Sequence, residues 1–130
     1  MRLRLTTPTR VVVDRDVSYV QSEDASGRFG ILPGHEPFLT AVIPSVLVYR
    51  YDEQESYAAV RHGVLRVAED AVQVAVRDAV VSRDLAGLQE EIRRAREQTG
   101  GRGYRARRSL YQMQLAAWRR LVEYEDVRTR

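Results

Sequence analysis

Cysteine and lysine are both absent from this 130-residue chain, and it holds one tryptophan and two phenylalanines. Without cysteine there are no disulfides and no thiolate metal sites, which agrees with a reducing compartment. Without lysine, all 21 basic residues are arginine. That usage reads first as the mark of a GC-rich genome, and it favours planar, bidentate pairing with carboxylates. It also leaves the glycine-rich stretches Gly27-Arg-Phe-Gly30 and Gly100-Gly-Arg-Gly103 outside the G-x-x-x-x-G-K-[ST] pattern, whose lysine and hydroxyl bind phosphate and magnesium. Both stretches read as turns. No window approaches the roughly 18 consecutive apolar residues of a membrane span, and Met1 to Leu5 lacks the apolar core of a secretory signal. Membrane association is therefore expected to be peripheral.

Catalytic constellations are missing as well. His35 and His62 lie 27 positions apart, without the H-x-x-x-H or H-E-x-x-H spacing that puts two metal ligands on one helix face. No serine stands in G-x-S-x-G. Glu90-Glu91 sits among arginines, where neighbouring charges make a solvated face. The chain is expected to be non-catalytic and to need no cofactor or metal. For His35 the plain reading is a corner histidine bonded to local backbone, and the functional reading is an interface contact. His62 is expected to pack at the core or edge of a strand.

Two periodicities are present. Up to about residue 81 the pattern is of period two or of short apolar runs: Leu3 and Leu5 alternate with Arg2 and Arg4, and Val72, Val74 and Val76 with Ala71, Gln73 and Ala75. Val46–Tyr51 and Ser56–Val60 flank Asp52 to Glu55, and Val64–Val67 and Val72–Val76 flank Ala68 to Asp70, so both pairs read as antiparallel hairpins. After Ser82-Arg83-Asp84 the period becomes helical, with Leu85, Leu88, Ile92 and Ala95 in one stripe and Ser82 or Asp84 as the cap. Three glycines between 100 and 103 end that helix, and a second runs from about Tyr104 to Glu125 with a stripe of Leu110, Tyr111, Gln114, Leu115, Trp118, Leu121 and Val122. The fold class is α+β: an antiparallel β-sandwich of about eight to ten short strands over 1–83, then a two-helix hairpin over 84–130.

Charge divides along the same line. Residues 1–83 hold 10 Arg against 11 Asp and Glu, whereas 84–130 hold 11 against 7. Arg102, Arg105, Arg107 and Arg108 crowd the start of the second helix, and Arg119-Arg120 follow on later turns. Cations at a helix amino terminus are disfavoured by roughly 0.3–1 kcal/mol each at low salt. Either solvation and counterions suffice there, or an acidic partner offsets the cost.

The run Gly30-Ile-Leu-Pro33-Gly-His35-Glu-Pro37-Phe-Leu39 must form a shaped, extended corner, because each proline fixes φ and biases the residue before it while the glycines allow reversals. With Asp24-Ala-Ser-Gly27-Arg28-Phe29 before it and Val60-Arg-His62-Gly63-Val64 after it, the chain resembles the epsilon subunit of F-type ATP synthases. The likeness is strong over residues 5 to 80. It departs at His62, where a glycine is usual, at Val64 in place of phenylalanine, and at Leu85-Ala-Gly-Leu88 in place of I/L-D-x-x-R-A, so no ATP binding is expected. Divergence in the carboxyl-terminal third suggests an alternative, sodium-type complex, with the coupling ion unread.

The resemblance implies a central-stalk rotor subunit that couples gamma to the c-ring. It further implies inhibition of ATP hydrolysis by carboxyl-terminal helices set against the catalytic beta subunits. The implied location is peripheral, on the cytoplasmic face of the bacterial inner membrane. Ser26, Gly27, Arg28 and His35 become the candidate ring contacts; Arg102, Arg105, Arg107, Arg108, Arg119 and Arg120 become the candidate inhibitory contacts. The alternative is a nucleic-acid-binding small β-barrel with an arginine-rich helical tail, against which stands the slightly acidic β portion. A free-standing β-sandwich adaptor is the third class.

Overall fold

In the computed structural model the described residues are 1–98 and 104–129, with side chains described except at 96, 98, 104–107 and 124–129. Eight strands come first: β1 (Arg2–Thr7), β2 (Arg10–Asp16), β3 (Tyr19–Asp24), β4 (Gly27–Ile31), β5 (Phe38–Val42), β6 (Ser45–Tyr51), β7 (Gln54–Ala68) and β8 (Ala71–Ser82). Helices α1 (Leu85–Gln98) and α2 (Tyr104–Thr129) follow. The strands form a continuous path β2-β1-β8-β7-β6-β3-β4, and β5 adds to β7.

Both expected hairpins form, on two-residue turns. Asp52-Glu53 closes β6–β7 with φ of 50° and 61°, and Glu69-Asp70 closes β7–β8 with 52° and 61°. Paired left-handed residues give the turn twist that matches flanking strands.

Two features of the sheet differ from the sequence expectation. The segments expected as separate strands, Ser56–Val60 and Val64–Val67, are one continuous strand, β7. Its first half pairs with β6 and its second with β5, while its other edge follows β8 throughout. Inward residues change parity along it: Ala58 and Val60 face the core in the first half, Leu65 and Val67 in the second. β8 makes the same change between Val76 and Ala79. The β7–β8 ribbon thus turns a corner and supplies strands to both layers. Gly63 stands at that corner, where an added Cβ would meet the Ala75 carbonyl oxygen at 2.0 Å. A glycine within a strand marks such a close approach. The second difference is that β1 pairs with β8 in parallel, although the other ladders are antiparallel.

The layers enclose a first core of Leu3, Leu5, Val20, Ile31, Leu47, Val60, Leu65 and Val72, each fully buried. β6 is buried on both faces. Leu47 and Tyr49 enter the first core, and Val46 and Val48 point outward into a second.

That second core holds Val46, Val48 and Ala59 from the sheet with Leu85, Leu88, Ile92, Leu110, Met113 and Ala117 from the helices. The cap at Asp84 is as expected: its carboxylate accepts a hydrogen bond from the Gly87 amide, and its carbonyl one from Leu88 at 3.0 Å. A Cβ at Gly87 would lie 2.6 Å from Ser82 Oγ and 2.8 Å from Asp84 Oδ1, so a side chain there would displace the capping carboxylate. The α1 stripe is buried as read. The α2 stripe is not: Leu110 and Leu121 turn inward with Met113 and Ala117, whereas Tyr111, Leu115, Trp118 and Val122 are 44–58% exposed. Ala116 and Ala117 take little space on the inward face, and the flexible Met113 fills the gap that remains.

Candidate functional site

The β3–β4 turn is built by Asp24. Its carboxylate accepts hydrogen bonds from Ser26 N at 2.9 Å, Ser26 Oγ at 2.5 Å and, from β5, Thr40 Oγ1 at 2.7 Å. Those bonds, Ser26's first and then Thr40's, hold the Asp24 carboxyl below the usual carboxylate range. Gly27 leaves the turn with φ of 123°, a conformation that suits glycine. Of the candidate ring contacts, Ser26 and Gly27 are therefore exposed on a tied turn, and Ser26 spends its hydroxyl within it.

Arg28 is the first side chain after the turn, and it points to α2. Its Nε donates to Glu23 on the neighbouring strand at 3.2 Å, and its other arm pairs with Glu123 of α2. Beside it Arg120 donates to Gln21 of β3. Burial, and then the positive charge of Arg28, pull the Arg120 guanidinium below the ordinary arginine range. Glu23, Arg28, Arg119, Arg120 and Glu123 line an open hollow of about 320 Å³ between α2 and the sheet.

His35 belongs to a separate cluster. Its amide donates to the Leu32 carbonyl at 3.1 Å, its Nδ1 donates to the Glu36 carbonyl at 2.6 Å, and its ring meets Phe38 edge-on with centroids 5.9 Å apart. Phe38 in turn meets Phe29 edge-on at 5.3 Å. The corner from Leu32 to Pro37 is exposed throughout, as its composition requires. His62 is also exposed, contrary to the packed position expected for it, because it falls at the corner where β7 changes layers.

The arginines of α2 divide. Arg108 and Arg119 are exposed, with no ion pair among the described residues, whereas Arg120 is half-buried and already bonded. Arg105 and Arg107 lie on α2 with side chains outside the described set, and Arg102 lies outside the described residues. On α1, Arg93 and Arg94 pair with Glu90, Glu91 and Glu97 in a solvent-facing network. The hydrogen bond from Arg93 holds the Glu90 carboxyl below its ordinary range. No group of three or more metal-ligating side chains occurs among the described residues.

The outer face of the other layer is open. Leu39 of β5 is 67% exposed and Val64 of β7 49% exposed. With Arg4, Arg66 and Gln73 they line a shallow hollow of about 420 Å³.

A β-sandwich folded about a single long ribbon, carrying a two-helix hairpin on one face, is an architecture shared with mitochondrial ATP synthase components. One chain in a structure of the Tetrahymena thermophila mitochondrial ATP synthase central stalk and c-ring superposes with a TM-score of 0.59 at 16% identity, covering 91% of this chain and 93% of that one. Residues 1–82 match the family described as ATP synthase, Delta/Epsilon chain, beta-sandwich domain. The likeness runs on through the helices. ATP synthase epsilon chain 2 of Paraburkholderia xenovorans is 38% identical, across 95% of this chain and 91% of its own. The protein of the same name from Cereibacter sphaeroides is 37% identical, across 97% and 88%. The chain belongs to the ATP synthase epsilon chain family and is a non-catalytic subunit. The nucleic-acid-binding alternative finds no support.

The Arg28–Glu123 pair escaped sequence reasoning because 95 positions separate its members. The signal available was weak: Glu123 is one of three acidic residues, with Glu125 and Asp126, on the later turns of a helix otherwise rich in arginine, and helical pattern does not single it out.

Proposed function

We propose that this chain stands in the central stalk of a rotary ATP synthase, peripheral to the cytoplasmic face of a bacterial membrane, where it couples gamma to the c-ring. The observation that carries the reading is the distribution of covered and open surface. One outer face of the sandwich is occupied by the hairpin, and the other presents Leu39 and Val64 with a polar rim. Exposed apolar side chains within a polar surround suit a protein partner, and gamma is the partner this family supplies. The β3–β4 turn, with Ser26, Gly27 and Arg28, is the edge assigned to the polar loops of the ring, with His35 on the adjoining corner. No helix of the described residues is long and apolar enough to cross a membrane, in keeping with a peripheral place.

The hairpin serves inhibition of ATP hydrolysis. Arg108 and Arg119 are free among the described residues, and the outward stripe Tyr111, Leu115, Trp118 and Val122 lies on the same helix. Arg102, Arg105 and Arg107 would add to that charge, and Arg120 would join once released from Gln21. An acidic surface of the catalytic beta subunits complements such a helix. The likeness to proteins named ATP synthase epsilon chain 2 supports a second, alternative type of complex. Co-purification tests the assignment: Leu39→Glu should leave the chain folded and cut its recovery with gamma. Full recovery with gamma would remove this face from the interface.

A further inference from the structure

Arg28 has two demands on one guanidinium. It adjoins the exposed turn assigned to the ring, and it closes the docked hairpin through Glu123. The charges around it form a short alternating row, Glu23 on β3, Arg28 on β4 and Glu123 on α2, with Arg120 beside them on Gln21. None is sealed from water. The side chains of Arg28 and Glu123 keep 41% and 49% of their surface. Ion pairs this exposed are weak and salt-screened, so a carboxylate carried on an arriving surface can compete for Arg28.

We propose that Arg28 is a shared contact, binding either Glu123, which holds α2 on the sandwich, or a carboxylate of the rotor surface met by the β3–β4 turn. The inference rests on the reading that this turn meets the ring. Binding at the turn and docking of α2 then oppose each other, and by linkage each weakens the other by the same factor. For a pair of this exposure that factor is about two- to fivefold. Loss of Arg28 and loss of Glu123 differ in kind. Without Glu123, Arg28 keeps its bond to Glu23 through Nε, and the arm that Glu123 held is open to an outside carboxylate. Without Arg28, neither the hairpin nor the ring has its cation.

The test uses the full chain with Glu123→Gln and Arg28→Gln, two neutral replacements at accessible positions. One readout is amide hydrogen exchange in α2 over residues 109–123. The other is titration onto membranes that retain gamma and the c-ring but have been stripped of this subunit. Glu123→Gln should speed α2 exchange and tighten membrane binding, each about two- to fivefold at low salt, and both effects should fade near about 0.5 M salt. Arg28→Gln should speed exchange equally and weaken binding. Faster exchange in Glu123→Gln with unchanged or weaker binding would overturn the competition while leaving Arg28 a ring contact. Unchanged binding by Arg28→Gln would sink the ring reading itself, and unchanged exchange in both single variants would sink the link to the hairpin.

Discussion

The two cores of this protein differ in what closes them. The first lies between sandwich layers, and its residues, Leu3, Leu47, Leu65 and Val72 among them, come from strands already bonded to one another. The second is closed by the sheet on one side and the helices on the other, so that Val46, Val48 and Ala59 are buried only while the hairpin is docked. Backbone hydrogen bonds hold the first core in register. The second is held by side-chain packing and, among the described residues, by polar contacts that include Arg28–Glu123 and Arg120–Gln21 between α2 and the sheet and Gln89–Gln114 between the helices. A segment attached in this way can leave without unpairing a strand, which is what a movable inhibitory element needs.

Deleting one side of the second core has the largest expected effect. A chain ending at Arg83 should keep its strands paired but lose the cover over Val46 and Val48, at about 1.5–3 kcal/mol for each. Its thermal transition should fall and its tendency to associate rise, and Val46→Thr with Val48→Thr should reduce the association. A truncated chain without sheet signal in circular dichroism would show that the first core depends on the helices.

Single cavities come next. Leu65→Ala and Leu88→Ala each remove a fully buried leucine, at about 2–5 kcal/mol. Leu65→Ala should raise hydrogen exchange in strands and helices together. Leu88→Ala should raise it in α1 and α2 while β1 and β8 stay protected. Equal acceleration throughout would merge the two cores into one cooperative unit.

Much of this division was legible in the sequence. The change of period at Ser82–Asp84, the two hairpin turns, the α1 stripe and the cap at Asp84 each depend on residues close in the chain, where pattern and local chemistry suffice. The face of α2 that turns inward was not. Its apolar residues make two stripes, Leu110-Met113-Ala117-Leu121 and Tyr111-Leu115-Trp118-Val122, and helical period alone gives no preference between them. The choice rests on tertiary packing, in which Met113 and Ala117 join Val46 and Val48 of β6 and the α1 stripe in one cluster. The continuity of β7 through Gly63 was hidden for a related reason, since a glycine that reads as a break serves as the corner of a bent strand. At the candidate site the turn was expected over Gly27–Gly30, but those residues enter β4 and the turn lies at Ala25-Ser26, while the destination of Arg28 depended on where the far end of α2 comes to rest.

Smaller effects are expected at the start of α1. Asp84→Ala removes the α1 cap and should cost about 0.5–2 kcal/mol, seen as faster exchange at Gly87 and Leu88 with the sandwich unaffected. Unchanged exchange there would show that the helix start is held by packing alone.

Smallest is the acid response of the β3–β4 turn. The Asp24 carboxyl is depressed in the folded state, so its contribution is present above the ordinary carboxylate value of about 3.9 and is lost as pH falls through the lowered one. Amide exchange at Ser26–Arg28, corrected for its intrinsic pH dependence, should loosen below about pH 4, and Asp24→Asn should remove that step. A step that persists in Asp24→Asn would assign it elsewhere.

The most direct test of the whole reading is ATP hydrolysis by the reconstituted synthase at equal occupancy of this subunit, comparing the full chain with the chain ending at Arg83. A hairpin that sets arginines against the beta subunits predicts faster hydrolysis with the shortened chain and a smaller difference at high salt. Equal rates at both salt concentrations would contradict it.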